Sequence, residues 1–240
     1  MLRTHSSVVS GSVALHYFDP SERWRPDDMD IYVPAGRRKR VLLFLETAGY
    51  YTVDRGRAIK PDYGDNCGVI SVTTVCNGDK TIDVISSCSH ISIAPIVRFH
   101  LSAVMNFLSA DGFFCAYPSL TAERRAICNS TPFGHGQPSP STVHAYVKYA
   151  HRGYTLRRSP LEFDNSDHIC RRNMLCPLMV RNTFDAGCMV VYFRAGLTAV
   201  RQAAGVDIVK YLVVWQMGDK DCKTGERYGS THAFAFVKVA

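Results

Sequence analysis

Two hydrophobic periods alternate along this chain, and they predict its elements. The β-branched pair Val8-Val9 marks a short strand over His5–Ser10, closed by a tight turn at Gly11-Ser12. Apolar Val13, Ala14, Leu15 and Phe18 then predict a short helix over Ser12–Phe18. A polar loop with two prolines and Trp24 covers Asp19–Asp27, and Met29–Val33 reads as a strand stopped by Pro34. Val41, Leu42, Leu45 and Ala48 recur at helical spacing, so Arg37–Tyr51 is an amphipathic helix with a basic opening. Tyr51–Val75 reads as a hairpin, with Gly64-Asp-Asn66 in its connection and Val69–Val75 returning. Asn77-Gly78 signals a tight turn into a strand over Lys80–Ser86. Pro95 opens what the spacing of Ile96, Phe99, Val104, Phe107 and Leu108 predicts to be a long helix.

Near residue 130 the texture changes. Pro132–Ser141 is loop-like, and Ser139 or Ser141 is placed to cap a helix running through Tyr149. Residues 160–188 are rich in Asp, Asn and Cys and irregular. Strand-like runs return at Met189–Phe193, Tyr211–Trp215 and Ala233–Val239, and Gly218–Gly229 reads as a surface hairpin loop. The expected organisation is a core over 1–130 and a helical and irregular region with late strands over 131–240, packed on that core. The fold class is α/β (α+β): a mixed sheet flanked by helices, with an irregular, Cys-containing C-terminal region.

Composition adds three constraints. The chain has 240 residues, 46% of them hydrophobic, enough for a real core. It has no stretch of about 18 apolar residues, and its first ten residues hold too short an apolar run for a secretory signal. A cytoplasmic or nuclear protein is therefore the expectation, with no membrane partner. The nine cysteines are scattered and odd in number, which reads as reduced thiols or metal ligands. The formal charge of +7 suits a polyanionic partner such as a nucleotide or nucleic acid, and equally a generic solubility charge.

The chemistry lies in three features that occur in order. Gly11-Ser12 stands at a strand-to-helix turn, where glycine lets a phosphate approach the backbone and the helix start offers free N–H groups. Asp28-Met29-Asp30 enters a strand, so the two carboxylates share a face. Asp83 sits inside Ile82-Asp83-Val84. A lone carboxylate in an apolar strand is costly to bury, whereas three hard-oxygen donors together suit a divalent cation. If the strand of Asp83 lies beside that of Asp30, the three carboxylates converge as a two-metal phosphoryl-transfer site requires. A second set, His168, Cys170, Cys176 and Cys188, is able to bind Zn²⁺ tetrahedrally. It lacks a Cys-x-x-Cys knuckle, and ordinary buried thiols or a disulfide from Cys170 to Cys176 or Cys188 remain open. Arg98 and His100 are candidates for phosphate or base contact, or ordinary surface and part-buried groups. Arg37–Arg40 reads either as a phosphate-binding patch or as a solvated helix start.

The Gly-Ser pair, the acidic-x-acidic pair and the third carboxylate together resemble the nucleotidyltransferase superfamily related to DNA polymerase beta. Ser10-Gly-Ser-Val-Ala-Leu15, Trp24-Arg-Pro-Asp-Asp-Met-Asp-Ile-Tyr-Val33, Pro95-Ile-Val-Arg-Phe-His100 and Met105-Asn-Phe107 are closer still to a group of uncharacterised fungal proteins of nucleotidyltransferase-like sequence. The resemblance spans roughly residues 6–120. It implies transfer of a nucleoside monophosphate from a nucleoside triphosphate to a hydroxyl. Asp28 and Asp30 would ligate Mg²⁺ (or Mn²⁺), Asp83 would complete one metal site, and Gly11 and Ser12 would hold phosphate. A catalytically degenerate nucleotide-binding or interaction protein that keeps only the fold is the alternative.

Overall fold

The β-branched runs become strands of one mixed sheet in the computed structural model, which describes residues 1–20, 23–53, 68–130, 138–164, 168–193, 211–218, 220–226 and 236–238. A helical turn α1 (Leu2–His5) leads to β1 (Val8–Ser10), which runs straight into α2 (Gly11–Phe18). Next come β2 (Asp28–Val33), α3 (Arg38–Thr47), β3 (Tyr51–Thr52), β4 (Val69–Asn77) and β5 (Lys80–Ser87). They are followed by β6 (Asn106–Leu108), β7 (Gly112–Cys115), α4 (Pro118–Ala122) and β8 (Arg125–Ile127). The rest of the chain supplies α5 (Pro140–His151), β9 (Thr155–Arg157), α6 (Leu161–Asp164), β10 (Arg181–Asn182), β11 (Met189–Tyr192), β12 (Tyr211–Trp215) and β13 (Phe236–Lys238). The protein is thus mixed α/β, with six α-helices among the described residues.

The main sheet has eight strands in the order β11-β7-β6-β1-β2-β5-β4-β3. β2 and β5 run parallel, with α3 in the connection between them; the other neighbours in this sheet are antiparallel. Strand β11, late in the sequence, closes one edge against β7. Smaller sheets join β10-β12-β13 and β8-β9.

Strand alternation sorts the side chains between the two faces. Val9, Ile31, Val33, Val75, Ile82 and Val84 share one core with Val41 and Leu45 of α3, which lie one helical turn apart. Each such fully buried aliphatic group contributes about 1.5–3 kcal/mol. Val8, Tyr32 and Ile85 point the other way, into a second core with Phe107, Phe114 and Trp215. Asp28 and Asp30 have the parity of Tyr32, and Asp83 that of Ile85. All three carboxylates therefore leave the sheet on the face opposite α3.

Several expectations hold. Arg37, Lys39 and Arg40 are solvent-exposed at the start of α3, while Arg38 donates to Thr73 Oγ1 across 3.0 Å. The turn after β4 is two residues, with Gly78 at its first position and φ +58, a conformation that glycine adopts without a side-chain clash. Ser139 caps α5 by accepting the N–H of Thr142, and Pro140 opens the first turn.

The long helix from Pro95 does not form. The segment breaks into two 3₁₀ turns, Ile96–Arg98 and Ser102–Val104, and then β6. The physical reason is burial on every side. Leu101 through Phe107 are all buried, so no polar stripe exists for a surface helix, and Phe107 is needed in a strand between β1 and β7. The first strand is also shorter than expected, because His5 belongs to α1 and Ser6 turns the chain with φ 52. The Gly64-Asp-Asn66 connection, most of Pro132–Ser141, and the ends of the Ala233–Val239 strand and of the Gly218–Gly229 loop lie outside the described residues. Within that loop, Asp221 accepts the N–H groups of Lys223 and Thr224. Among the described residues no helix is long and apolar enough to cross a membrane.

Candidate functional site

The parallel pairing of β2 and β5 sets Asp30 directly beside Asp83. Asp28 lies two residues back on the same face. One carboxylate oxygen from each of the three lies within 4.8 Å of the other two. Thr74 of β4 is paired with Asp83, and its hydroxyl donates to Asp83 Oδ1 over 2.6 Å, which fixes that carboxylate's orientation. Ser10 of β1 is the partner of Asp30 on the other side. Its buried hydroxyl donates to the Asn106 carbonyl, which locks the junction of β1 and α2 to β6.

Burial and like charges act together on Asp30. Burial pushes the Asp30 carboxyl up from 3.8 to about 7, and the nearby charges of Asp28 and Asp83 add to the rise, against a smaller opposing effect of Lys148. Three carboxylates held this closely repel one another, and a divalent cation would offset that repulsion.

Gly11 opens α2 in the left-handed region, at φ +64, and the space where a Cβ would go is taken by Asp30 Oδ2. Gly11→Ala is expected to lose more than about 1 kcal/mol from the backbone alone, and to push Asp30 away from its two partners. Thermal denaturation and metal titration check this together; wild-type behaviour in both would rule out the tight junction described here.

Next to Gly11, the Ser12 hydroxyl is buried with no hydrogen-bond partner among the described residues. The wall beyond it continues through Trp24, the first residue of the Trp24–Val33 segment, and through His16, Tyr149 and Arg152, which sequence patterns did not single out. His16 meets the Trp24 ring edge-on at 5.0 Å, and the Arg152 guanidinium lies 4.1 Å from the Trp24 ring centre and 5.3 Å from that of Tyr149. Arg152 Nη2 also stands 4.0 Å from Asp27. Burial raises the Tyr149 hydroxyl, Arg152 opposes the rise, and the charges of Asp30 and Asp28 add to it. His16 Nδ1, Trp24 Nε1 and Arg152 Nη1 are buried with no hydrogen-bond partner among the described residues. A row of unsatisfied polar atoms thus runs from the α2 start to the end of α5. The signal that α5 carries these groups was absent from the sequence, because more than 100 residues separate Asp30 from Lys148. His100, expected on a helix, instead follows a 3₁₀ turn and packs behind this wall against Tyr146 and Tyr149. Burial pushes it down to about 4, so it is uncharged at neutral pH.

The second predicted cluster is real in part. His168, Cys170 and Cys176 come together, but their fourth neighbour is Cys222, not Cys188. Cys188 lies in another environment, where its sulfur accepts from Arg181 Nη2 at 3.3 Å. The residue that replaces it comes after β12, a join that no local spacing encodes. All cysteines among the described residues are free, so neither Cys170–Cys176 nor Cys170–Cys188 is a disulfide.

Compared with protein-family models, with curated proteins and with solved structures, the chain finds no match in any of the three.

Proposed function

We propose that this protein has a nucleotidyltransferase-like fold and moves a nucleoside monophosphate from a nucleoside triphosphate to a hydroxyl acceptor. The observation that carries the reading is the convergence of Asp28, Asp30 and Asp83 beside the unpartnered Ser12 hydroxyl at the start of α2. Hard carboxylate oxygens on two adjacent strands suit Mg²⁺ or Mn²⁺. Such cations, held by these residues, would supply positive charge to the triphosphate and to its pyrophosphate leaving group. Asp28 and Asp30 would hold them; Asp83, oriented by Thr74, would complete one site and take up the proton of the attacking hydroxyl. The Gly11 backbone and Ser12 hydroxyl hold phosphate oxygens, aided by the positive end of α2. The excess of basic residues favours polyanionic acceptors such as nucleic acid.

Calorimetric titration of the four common nucleoside triphosphates, with and without Mg²⁺ or Mn²⁺, tests the reading. Metal-dependent binding by the wild type, lost in Asp28→Asn/Asp30→Asn, is the expected result. Binding that survives the double substitution would move the nucleotide elsewhere. Binding without any turnover on hydroxyl acceptors would support a degenerate nucleotide-binding protein, and no binding at all a protein that keeps only the fold.

A further inference from the structure

We propose that His168, Cys170, Cys176 and Cys222 form a Zn²⁺ site that fastens the irregular 168–176 segment to the loop after β12. The four donors lie within 4.8 Å of one another. Cys176 Sγ is 3.6 Å from Cys222 Sγ, and Cys170 Sγ is 3.7 Å from His168 Nε2. Ligands of one tetrahedral zinc, at about 2.3 Å for sulfur and about 2.0–2.1 Å for nitrogen, stand roughly 3.8 Å apart for two sulfurs and roughly 3.6 Å for sulfur and nitrogen. Both edges match that tetrahedron, and the sulfur–sulfur edge is far too long for a disulfide bond of about 2.0 Å.

Further observations point to a cation within the cluster. His168 is buried, and among the described residues its Nδ1 has no hydrogen-bond partner, so its placement is explained by what its Nε2 faces. The Cys222 N–H donates to Cys170 Sγ at 3.4 Å. A donated N–H favours the thiolate, the form of cysteine that binds metal. Soft sulfur donors with one imidazole, tetrahedrally spaced and with no open position, favour a structural Zn²⁺.

Such a site answers a physical need. Between α6 and β11 the described chain has one two-residue strand and otherwise turns, so few backbone hydrogen bonds hold it. A metal that joins Cys176 to Cys222 closes a loop across β10, β11 and β12, and its binding free energy becomes folding free energy.

The test begins with the full chain, purified without added metal. One Zn²⁺ per chain is expected by elemental mass spectrometry. After chelation, Co²⁺ should restore a sulfur-to-metal charge-transfer band and intense tetrahedral d–d bands. Cys176→Ser and Cys222→Ser should each fall below about a tenth of an equivalent. Cys188→Ser and Asp28→Asn/Asp30→Asn should keep the full equivalent, which separates this site from the carboxylates. If Cys222→Ser fails to fold, the wild-type Co²⁺ spectrum and the Cys188→Ser variant still decide the matter. Folded wild type that neither carries zinc nor gives the charge-transfer band on adding Co²⁺ would overturn the proposal. So would loss of zinc in Cys188→Ser, or a Cys176–Cys222 disulfide seen by mass spectrometry under non-reducing conditions.

Discussion

Asp30→Asn should make the metal-free protein more stable at neutral pH while abolishing its response to divalent cations. In the unfolded chain this carboxyl ionises near 3.8, and in the folded protein near 7. Between those values the folded state holds a proton that the unfolded state lacks, so stability falls as pH rises from about 4 to about 7. Above pH 7 the full penalty is present, at most about 4 kcal/mol. Asparagine has the same shape and no charge to bury, and it also relieves Asp28 and Asp83 of a like-charged neighbour. Melting curves from pH 5 to 8 should therefore slope downward for the metal-free wild type and run nearly flat for the variant. Mg²⁺ or Mn²⁺ at pH 7.5 should raise the wild-type melting temperature and leave the variant unchanged. A variant less stable than the wild type at pH 8 without metal would show that Asp30 is not the strained carboxylate described here.

Asp185→Ala should be among the most damaging single substitutions away from the site. Arg181 is 1% exposed, and Asp185 meets it with two hydrogen bonds of 2.6 and 2.7 Å. The guanidinium also donates to the carbonyls of Met174 and Ala116 and lies 4.7 Å from the Tyr117 ring centre and 5.5 Å from that of Trp215. Burial by itself would raise the Asp185 carboxyl; hydrogen bonds from Arg181 and the Asn182 N–H outweigh it and hold it below its ordinary range. Removing the carboxylate leaves a buried cation without its counter-charge, which costs about 3–5 kcal/mol. For a chain of this size that lowers the melting temperature on the order of 10 °C. Pairing the change with Arg181→Met should recover part of the loss, because the orphaned charge is then gone. A single Asp185→Ala variant within about 1 kcal/mol of wild type would refute this account of the Arg181 network.

Side-chain type along short windows carried much of the fold. The β-branched runs of β1, β2, β4 and β5, the Val41/Leu45 face of α3, the Gly78 turn and the Ser139 cap each follow from local chemistry within a few residues. Strand parity also put Asp28 and Asp30 on one face before any fold was known. The segment from Pro95 departs from its helical spacing for an equally physical reason: Leu101 through Phe107 are buried on all sides, so apolar residues at helical intervals there do not mark a solvent-facing helix.

The sequence by itself determined the donors, namely which carboxylates, thiols and imidazole are present and which of them share a strand face. Tertiary structure alone decided their company. Asp83 meets Asp30 because β2 and β5 pair in parallel, and register between strands about 50 residues apart is set by cores on both faces of the sheet, not by neighbours in sequence. Lys148 and Tyr149 come near Asp30, Arg152 comes near Asp27, and Cys222 displaces Cys188, because long-range packing brings together segments whose separation leaves no pattern to read.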